Sequence, residues 1–421
     1  MKKLRALHVR MNDADVGRVE RNRHGRAVLH YDQVWQTSGA AIPLSVALSL
    51  STAQHDSGVE PYLWGLLPDN EVILDRWAAR FQTSATNALG LLAHVGADCP
   101  GAVQFLTEEA ASRPPADDIE WLDERAIAER LRRLQTDSSL WREEHDAGQF
   151  SVGGAQAKTA LLRRNGRWGI PSGRIPTTHI FKPGMRELRG HAENEHFCLS
   201  LLRELGLPSA TSTVERFEDQ TAIVVTRYDR TNVGDRIVRV HQEDLCQATA
   251  TMPSAKYQNE GGPGARTVVD LLRRISSEAI TDVATFIDAQ VVSWAIVATD
   301  AHAKNYSLLH GPLRVRLAPL YDVASILPYA EPALHKVKLA MSIGGKYRVN
   351  DIGPRQWMRF AEEARIDEAI VRQSLTRVLG ALPDAVLAVQ KTMKRDGVAH
   401  DVLKKLADAI TKRARALAKT L

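Results

Sequence analysis

Trp294-Ala-Ile-Val-Ala-Thr-Asp300-Ala-His-Ala-Lys-Asn305-Tyr-Ser-Leu-Leu309, followed by Leu320-Tyr-Asp322, is the stretch that decides the fold. An apolar run from Val291 to Ala298 stops at Thr299-Asp300. Asn305 follows five residues after that Asp, and then a short apolar strand, Tyr306 to Leu309. A turn at His310-Gly311-Pro312 leads into a second strand, Val315 to Leu320, which delivers Asp322. The hairpin brings Asn305 and Asp322 back to one end of the ribbon although they lie seventeen positions apart. Phosphoryl transfer from Mg-ATP needs such a set: one carboxylate to orient the attacking hydroxyl, and an amide and a second carboxylate as oxygen ligands for Mg²⁺. Alone, an Asp and an Asn at this spacing also fit an ordinary turn, since both form turns readily. The matter rests on an ATP-binding half upstream.

Upstream, Phe150-Ser-Val-Gly-Gly-Ala-Gln-Ala-Lys158-Thr-Ala-Leu-Leu162 opens as a loop with paired glycines and becomes a strand at Thr159. A turn at Asn165-Gly166 leads to a partner strand begun by Trp168. Glycines let backbone N–H groups approach phosphate oxygens, and Lys158 supplies positive charge. The loop is neither Gly-x-Gly-x-x-Gly nor a Walker A, and locally it also fits a plain hairpin. Pro176-Thr-Thr-His-Ile-Phe-Lys182 is a strand that Pro183 stops, with a lysine at its last position. Thirteen residues on, Glu195 lies on a helix whose apolar stripe is Phe197, Leu201, Leu202 and Leu205, closed by Gly206-Leu-Pro208. A strand lysine followed by a helix glutamate is the arrangement in which an ammonium bridges ATP phosphates and a carboxylate holds it. Taken singly, each also fits a surface charge. Two β-rich runs follow, and the second turns polar at Thr226-Arg227-Tyr228. That suits a strand entering a hinge whose backbone pairs with the adenine edge, or simply a strand end.

The remaining chain frames these two halves. At 421 residues, 44% hydrophobic and 25% charged, it is long enough for two or three packed units. The net charge of +5 is a mild basic excess that fits phosphates or an acidic partner and fixes no fold. Cys99, Cys198 and Cys246 are widely spaced and read as free thiols of a reducing compartment. Neither a signal-peptide core nor a run of membrane-spanning length is present, so a cytoplasmic location without membrane contact is expected. Residues 4 to 31 read as strands, Val72 to Phe81 and Ala88 to Val95 as helices, the latter ending on Gly96 as a left-handed cap, and Gly101 to Leu106 as a strand. Thr107 to Asp117, with Pro114-Pro115, reads as a linker, and Glu124 to Thr136 as a charged amphipathic helix. Beyond Val240 helices dominate: Gln242 to Thr249, Val268 to Ile275, Ile280 to Ala298, and several after Gly353. Gly261-Gly-Pro-Gly264 marks a tight loop among them. Lys391, Lys394, Arg395, Lys404, Lys405, Lys412, Arg413, Arg415 and Lys419 make the last helices basic, as a phosphate-tracking tail or a solvated face would be.

The expected architecture is α+β: a two-lobed protein-kinase-like fold with a β-rich N-terminal accessory domain and a helical C-terminal lobe. Its expected parts are 1–107 (accessory), 108–145 (linker and helix), 146–229 (N-lobe with the nucleotide loop) and 230–421 (C-lobe with catalytic and metal-binding residues).

In register, Ser151-Val-Gly-Gly-Ala-Gln-Ala-Lys-Thr, Pro176-Thr-Thr-His-Ile-Phe-Lys, Asn194-Glu195, Arg227-Tyr-Asp-Arg230, Gln242-Glu-Asp-Leu-Cys-Gln, Gly261-Gly-Pro-Gly, Ala298-Thr-Asp-Ala-His-Ala-Lys-Asn and Pro319-Leu-Tyr-Asp resemble the HipA family. These are the serine/threonine protein kinase toxins of bacterial type II toxin–antitoxin pairs. Leu66-Leu-Pro-Asp and Val95-Gly-Ala-Asp-Cys-Pro-Gly-Ala-Val resemble its N-terminal domain, so the likeness covers nearly the whole chain. The resemblance implies Asp300 as the catalytic aspartate and Asn305 and Asp322 as Mg²⁺ ligands. It implies Gly153, Gly154, Ala155, Gln156, Ala157 and Lys158 as the nucleotide loop, and Lys182, supported by Glu195, as the phosphate-binding lysine. Thr226, Arg227 and Tyr228 match the adenine hinge, with His302, Lys304 and Tyr321 around the nucleotide, and Ser151 matches the autophosphorylated serine. A phosphate there, with a charge near −2 in a loop built to cradle phosphates, should repel ATP or refold the loop. The family further implies ATP and Mg²⁺ as cofactors, a HipB-like helix-turn-helix antitoxin, and operator DNA reached through that complex. The basic C-terminal helices could assist in that contact. A translation component, typically an aminoacyl-tRNA synthetase, is the implied substrate. Ala157, Gly153, Ala301 and Thr226 depart from the family pattern without removing a phosphate or metal ligand. A kinase of the same fold acting on a small molecule or lipid, and a catalytically idle co-repressor, are the competing functions.

Overall fold

The structure, a computed structural model, describes residues 6–112, 117–137, 139–140, 151, 154, 156–185, 187–329 and 333–421. The chain begins with β1 (Ala6–Met11), β2 (Ala14–Arg21), β3 (Ala27–Tyr31), helix α1 (Gln33–Thr37), β4 (Gln54–His55), α2 (Val59–Gly65), α3 (Glu71–Phe81), α4 (Ala88–Val95) and β5 (Val103–Leu106). The strands form one antiparallel sheet in the order β4-β3-β2-β1-β5. Period-two alternation buries Leu7, Val9 and Met11 on one face, which packs on Tyr62, Leu63, Ile73, Leu91 and Phe105. Asn70 caps α3 by accepting the Val72 amide at 2.9 Å. Gly96 ends α4 without a left-handed turn, at φ −83°. A Cβ there would lie 2.5 Å from the Leu92 carbonyl oxygen and 2.8 Å from Phe105 Cβ, so the glycine serves close approach to β5 instead.

The segment read as a linker does more than connect. It holds α5 (Glu108–Ser112), and β6 (Ile119–Leu122) follows it directly before α6 (Glu124–Thr136), the helix expected there. β6 pairs with β8 (Arg167–Pro171) at the edge of a second sheet that also contains β7 (Thr159–Arg164), β9 (His179–Pro183), β10 (Ser212–Phe217) and β11 (Gln220–Thr226). The order is β10-β11-β9-β7-β8-β6. Helix α6 buries Ile127, Ala128 and Leu131 against Trp168, Phe181, Phe217 and Val224 of this sheet. Between β9 and β10 runs α7 (His191–Glu204).

After the ribbon of β12 (Arg230–Val233) and β13 (Arg236–Arg239), the chain becomes largely helical. Gln242 to Thr249, expected as one helix, splits into β14 (His241–Asp244) and the single turn α8 (Leu245–Ala248). The reason is tertiary: β14 pairs with β15 (Ser307–Gly311), which pairs with β16 (Arg314–Leu317). Helices α9 (Ala265–Ile275) and α10 (Ala279–Ile296) precede this hairpin. The pair β17 (Lys338–Ile343) and β18 (Lys346–Arg348), then α11 (Pro354–Glu363), α12 (Glu368–Arg395) and α13 (Asp401–Ala418), follow it. α10 is long and apolar enough to cross a membrane, but 72% of it is buried in the lobe it nucleates. Its Trp294 is fully enclosed and donates its indole N–H to the Val349 carbonyl at 3.1 Å. The basic residues of α12 and α13 face outward, except the half-buried Arg413.

Candidate active site

A cavity of about 700 Å³ lies between the second sheet and the helical part. Strand β9 runs antiparallel to β11, with Lys182 opposite Ile223, and carries the Lys182 side chain into it. Lys182 Nζ donates to Glu195 Oε1 and to Asp322 Oδ1, both at 2.7 Å. Glu195 is fully buried on α7. Asn194, its neighbour, donates to the Ser325 carbonyl at 2.7 Å and accepts the Ser325 amide at 3.1 Å. These two bonds fasten α7 to the segment just past Asp322. Asp322 itself sits in the left-handed region, φ 56°, which an aspartate tolerates better than most side chains.

Burial works against the charge on Lys182, but Asp322 and Glu195 outweigh it and hold the ammonium well above lysine's usual range. Burial likewise pushes the Asp322 carboxyl up, and Lys182 and Lys158 more than reverse that, keeping it ionised far below the carboxylate range. Lys158 has the opposite balance: burial, aided by the nearby charge of Lys182, lowers it to about 8. Two ammonium groups thus face one cavity, where an entering anion would meet both.

On the far wall, α10 ends at Val297 and the chain turns into Asp300, whose side chain remains 65% exposed to the opening. Asn305 donates its amide N–H to the Asp300 carbonyl at 2.7 Å, which fixes the loop, so only its amide oxygen could serve a metal. Tyr321 donates to the Lys304 carbonyl at 2.7 Å and shares a 2.6 Å bond with Ser307. The rings of Tyr321 and Tyr228 lie 5.8 Å apart and form an aromatic wall. Asn305 and Asp322 offer hard oxygens to the same space, a donor set that fits Mg²⁺ completed by phosphate oxygens.

Of the residues singled out from sequence, Gly154, Gln156, Lys158, Lys182, Glu195, Thr226, Arg227, Tyr228, Asp300, His302, Lys304, Asn305, Tyr321 and Asp322 line this one cavity. Ala157 does not, and Gly153 and Ala155 lie outside the described residues. Two of the lining residues do something other than expected. The Arg227 guanidinium turns away from the cavity, donating to Asp229, Thr177 and the Cys99 carbonyl, and the Arg227 amide is taken by Thr178 at 2.9 Å. Lys304 Nζ is committed to Asp69 Oδ1 at 2.5 Å, with the Gly65 carbonyl at 3.4 Å. Ser151 is fully buried, its hydroxyl donating to the Leu66 carbonyl and its amide to the Asp98 carbonyl.

Sequence reasoning missed the part played by the first sheet's helices. Asp69, between α2 and α3, takes Lys304 on one carboxylate oxygen and Lys256 on the other at 2.8 Å, while its amide donates to the Gly154 carbonyl at 3.2 Å. Burial opposes its charge, but Lys304 and Lys256 hold its carboxyl below the ordinary range. One residue therefore joins the glycine loop to the Asp300 loop. Leu66-Leu-Pro-Asp was visible as a motif, but nothing local in it announces an ion pair with residue 304.

Residues 7–106 match the family model of the HipA N-terminal domain and residues 150–386 that of the HipA-like C-terminal domain. A Sinorhizobium fredii protein named "Putative kinase Y4mE" is 32% identical over 419 residues, covering 98% of each chain. The serine/threonine-protein kinase toxin HipA of Shewanella oneidensis is 27% identical over 376 residues, 86% of this chain and 83% of that one. The solved structure of Shewanella oneidensis HipA with HipB and operator DNA superposes with a TM-score of 0.85 at 22% identity, over 98% of this chain and 97% of that chain, and shows the same fold. With both of its parts matched and a full-length relative above 30% identity, the chain belongs to the HipA family of serine/threonine protein kinase toxins.

Proposed function

We propose that this kinase transfers the γ-phosphate of Mg-ATP to a serine or threonine of a translation-related protein, such as an aminoacyl-tRNA synthetase, and to its own Ser151. The observation that carries the reading is the Lys182 ammonium held at 2.7 Å by both Glu195 and Asp322, in one cavity with Asp300 and Asn305. Lys182 and Lys158 meet the phosphates; Thr226 to Tyr228 and Tyr321 border the adenine. Asn305 and Asp322 would hold Mg²⁺, which would supply charge neutralisation at the transferring phosphoryl group. Asp300 orients the acceptor hydroxyl, so the chain contributes alignment and charge and forms no covalent intermediate. The division of labour follows the chain: residues 1–107 form the accessory domain, 146–229 with the strand and helix of 108–145 bind the nucleotide, and 230–421 serve the acceptor. Ser151 has no room for a phosphate where it now sits, so its modification would eject the loop and silence the enzyme. A HipB-like antitoxin, operator DNA reached through that partner, and a cytoplasmic setting complete the proposal.

The test is incubation of the full chain with γ-labelled Mg-ATP and, separately, lysate protein or a metabolite extract. Label in protein, on serine or threonine, is expected; label in the metabolite arm alone would make the enzyme a small-molecule kinase. A second expectation concerns pH. Lys158 carries its charge below about 8, so its attraction for phosphate is present there and is lost as pH climbs through that value. The KM for ATP should rise above pH 8, approaching about tenfold per unit, and Lys158→Arg should flatten the rise.

A further inference from the structure

Gly261-Gly-Pro-Gly264 has no part in the nucleotide cavity, yet its backbone folds back on one residue, Tyr257. Tyr257 carbonyl accepts the amides of both Glu260 and Gly262 at 3.0 Å. Gly261 is left-handed at φ 96°, a Cβ on Gly262 would lie 2.1 Å from the Ala255 carbonyl oxygen, and one on Gly264 would lie 2.4 Å from Gln258 Cδ. Only glycines permit this fold-back. On either side of Tyr257 the chain is anchored: Lys256 to Asp69 at 2.8 Å, and Gln258 to Ser342, donating to its hydroxyl at 3.0 Å and accepting its amide at 2.7 Å. The tyrosine is therefore aimed.

Its target is the Asp300 carboxylate. Tyr257 donates its phenol O–H to Asp300 Oδ1 at 2.6 Å, and its ring meets His302 edge-on, with centroids 4.9 Å apart. A phenol–carboxylate bond this short is charge-assisted and stronger than a neutral one. It fixes one carboxylate oxygen, while the Asp300 side chain stays largely open to an incoming group. We propose that Tyr257, aimed by the Gly261–Gly264 turn, is a positioning residue that holds Asp300 by one carboxylate oxygen and presents the other to the acceptor hydroxyl. This rests on the phosphoryl-transfer reading above. The partners of the Tyr257 ring and hydroxyl are Asp300, His302 and Lys256, on the Asp300 side of the cavity, so it acts on the acceptor half of the reaction.

The experiment compares the full chain with Tyr257→Phe and Tyr257→Ala, using labelled Mg-ATP and a desalted lysate protein pool as acceptor. Tyr257→Phe keeps the ring against His302 and removes only the hydroxyl. Its maximal rate of transfer at saturating ATP is expected to fall roughly 10- to 100-fold, with the KM for ATP within about twofold and the thermal midpoint unchanged. Tyr257→Ala should lose transfer at least as fully. If Tyr257→Phe equals the unsubstituted chain while Tyr257→Ala is impaired, the ring merely packs and the proposal is overturned. Parallel loss of ATP affinity or of thermal stability in Tyr257→Phe would overturn it too. Absence of transfer by the unsubstituted chain would instead fail the phosphoryl-transfer reading itself.

Discussion

Asp322→Asn is expected to reduce phosphoryl transfer by about three orders of magnitude at saturating ATP. The substitution is nearly isosteric, so the loss isolates charge. Asp322 has two duties in the cavity: it balances Lys182 at 2.7 Å, and it offers a carboxylate oxygen beside the Asn305 amide. An asparagine leaves Lys182 with Glu195 alone and Lys158 without its chief nearby counter-charge. A cation that needs hard oxygens then has two neutral amides in place of an amide and a carboxylate. Because Lys182 keeps one buried partner, the fold should survive, and circular dichroism with a thermal scan serves as the control. Labelled transfer within tenfold of the unsubstituted chain would remove Asp322 from the metal-binding role.

The second large effect lies in an ionic cluster at the cavity's edge that joins the first sheet's domain to the stretch from Arg227 to Arg239. Asp98 accepts from Arg230 at 2.9 Å and from Arg239 at 3.1 Å on Oδ1, and from Thr177 hydroxyl at 2.7 Å on Oδ2, with Arg227 at 3.4 Å. Asp229, two residues past Arg227, accepts from that arginine and from the Gly101 amide. All five charged side chains are almost wholly enclosed. Burial disfavours the Asp98 charge, but Arg230, Arg239 and Arg227 outweigh it and hold the carboxyl far below the ordinary carboxylate value. Asp98→Asn would strand three buried guanidinium groups around one remaining carboxylate. Breaking such a buried network from one side costs about 3–5 kcal/mol, to be read as a lowered midpoint in chemical denaturation. The pH dependence has a definite sign. With the folded value depressed, the stability from Asp98 is complete above the unfolded value, about 3.9, and drains away as pH falls below it. Asp98→Asn should therefore weaken the acid sensitivity of the folded chain. Unchanged stability at neutral pH would mean that the cluster contributes nothing net.

The residues that the sequence brings forward are those whose chemistry is tied to local geometry. Lys182 falls near the end of a strand that a proline marks, although β9 runs one residue further than expected and takes in Pro183, and Glu195 falls on a helix because its apolar stripe has helical spacing. Asn305 and Asp322 bracket a hairpin that Gly311-Pro312 announces, although the turn itself falls at Pro312-Leu313, with His310 and Gly311 still paired in β15. Such signals act over a few residues and survive without knowledge of the fold. Asp69, Tyr257 and Asp98 have no local mark. In Leu66-Leu-Pro-Asp-Asn an aspartate is an ordinary turn residue, and its pairing with Lys304 depends on how two units pack across 235 positions. The same holds for secondary structure. His241 to Asp244 precedes a true helix start, Asp244 with Gln247 forming a capping box, so the stretch looks helical from sequence. Pairing with β15 makes it a strand. Ile119 to Leu122 hides next to Pro114-Pro115 in the same way, and only its register against Trp168 to Pro171 reveals it.

The account's central claim is that Lys182, Asp300, Asn305 and Asp322 surround one nucleoside triphosphate. The most direct measurement is labelling of the full chain with an acyl-phosphate derivative of ATP, which acylates lysines beside bound phosphates, followed by peptide mass spectrometry with and without excess Mg-ATP. The account predicts acylation of Lys182 or Lys158, suppressed by Mg-ATP and absent in Asp322→Asn. Label confined to surface lysines such as those of α13, or label at Lys182 that Mg-ATP does not displace, would contradict it.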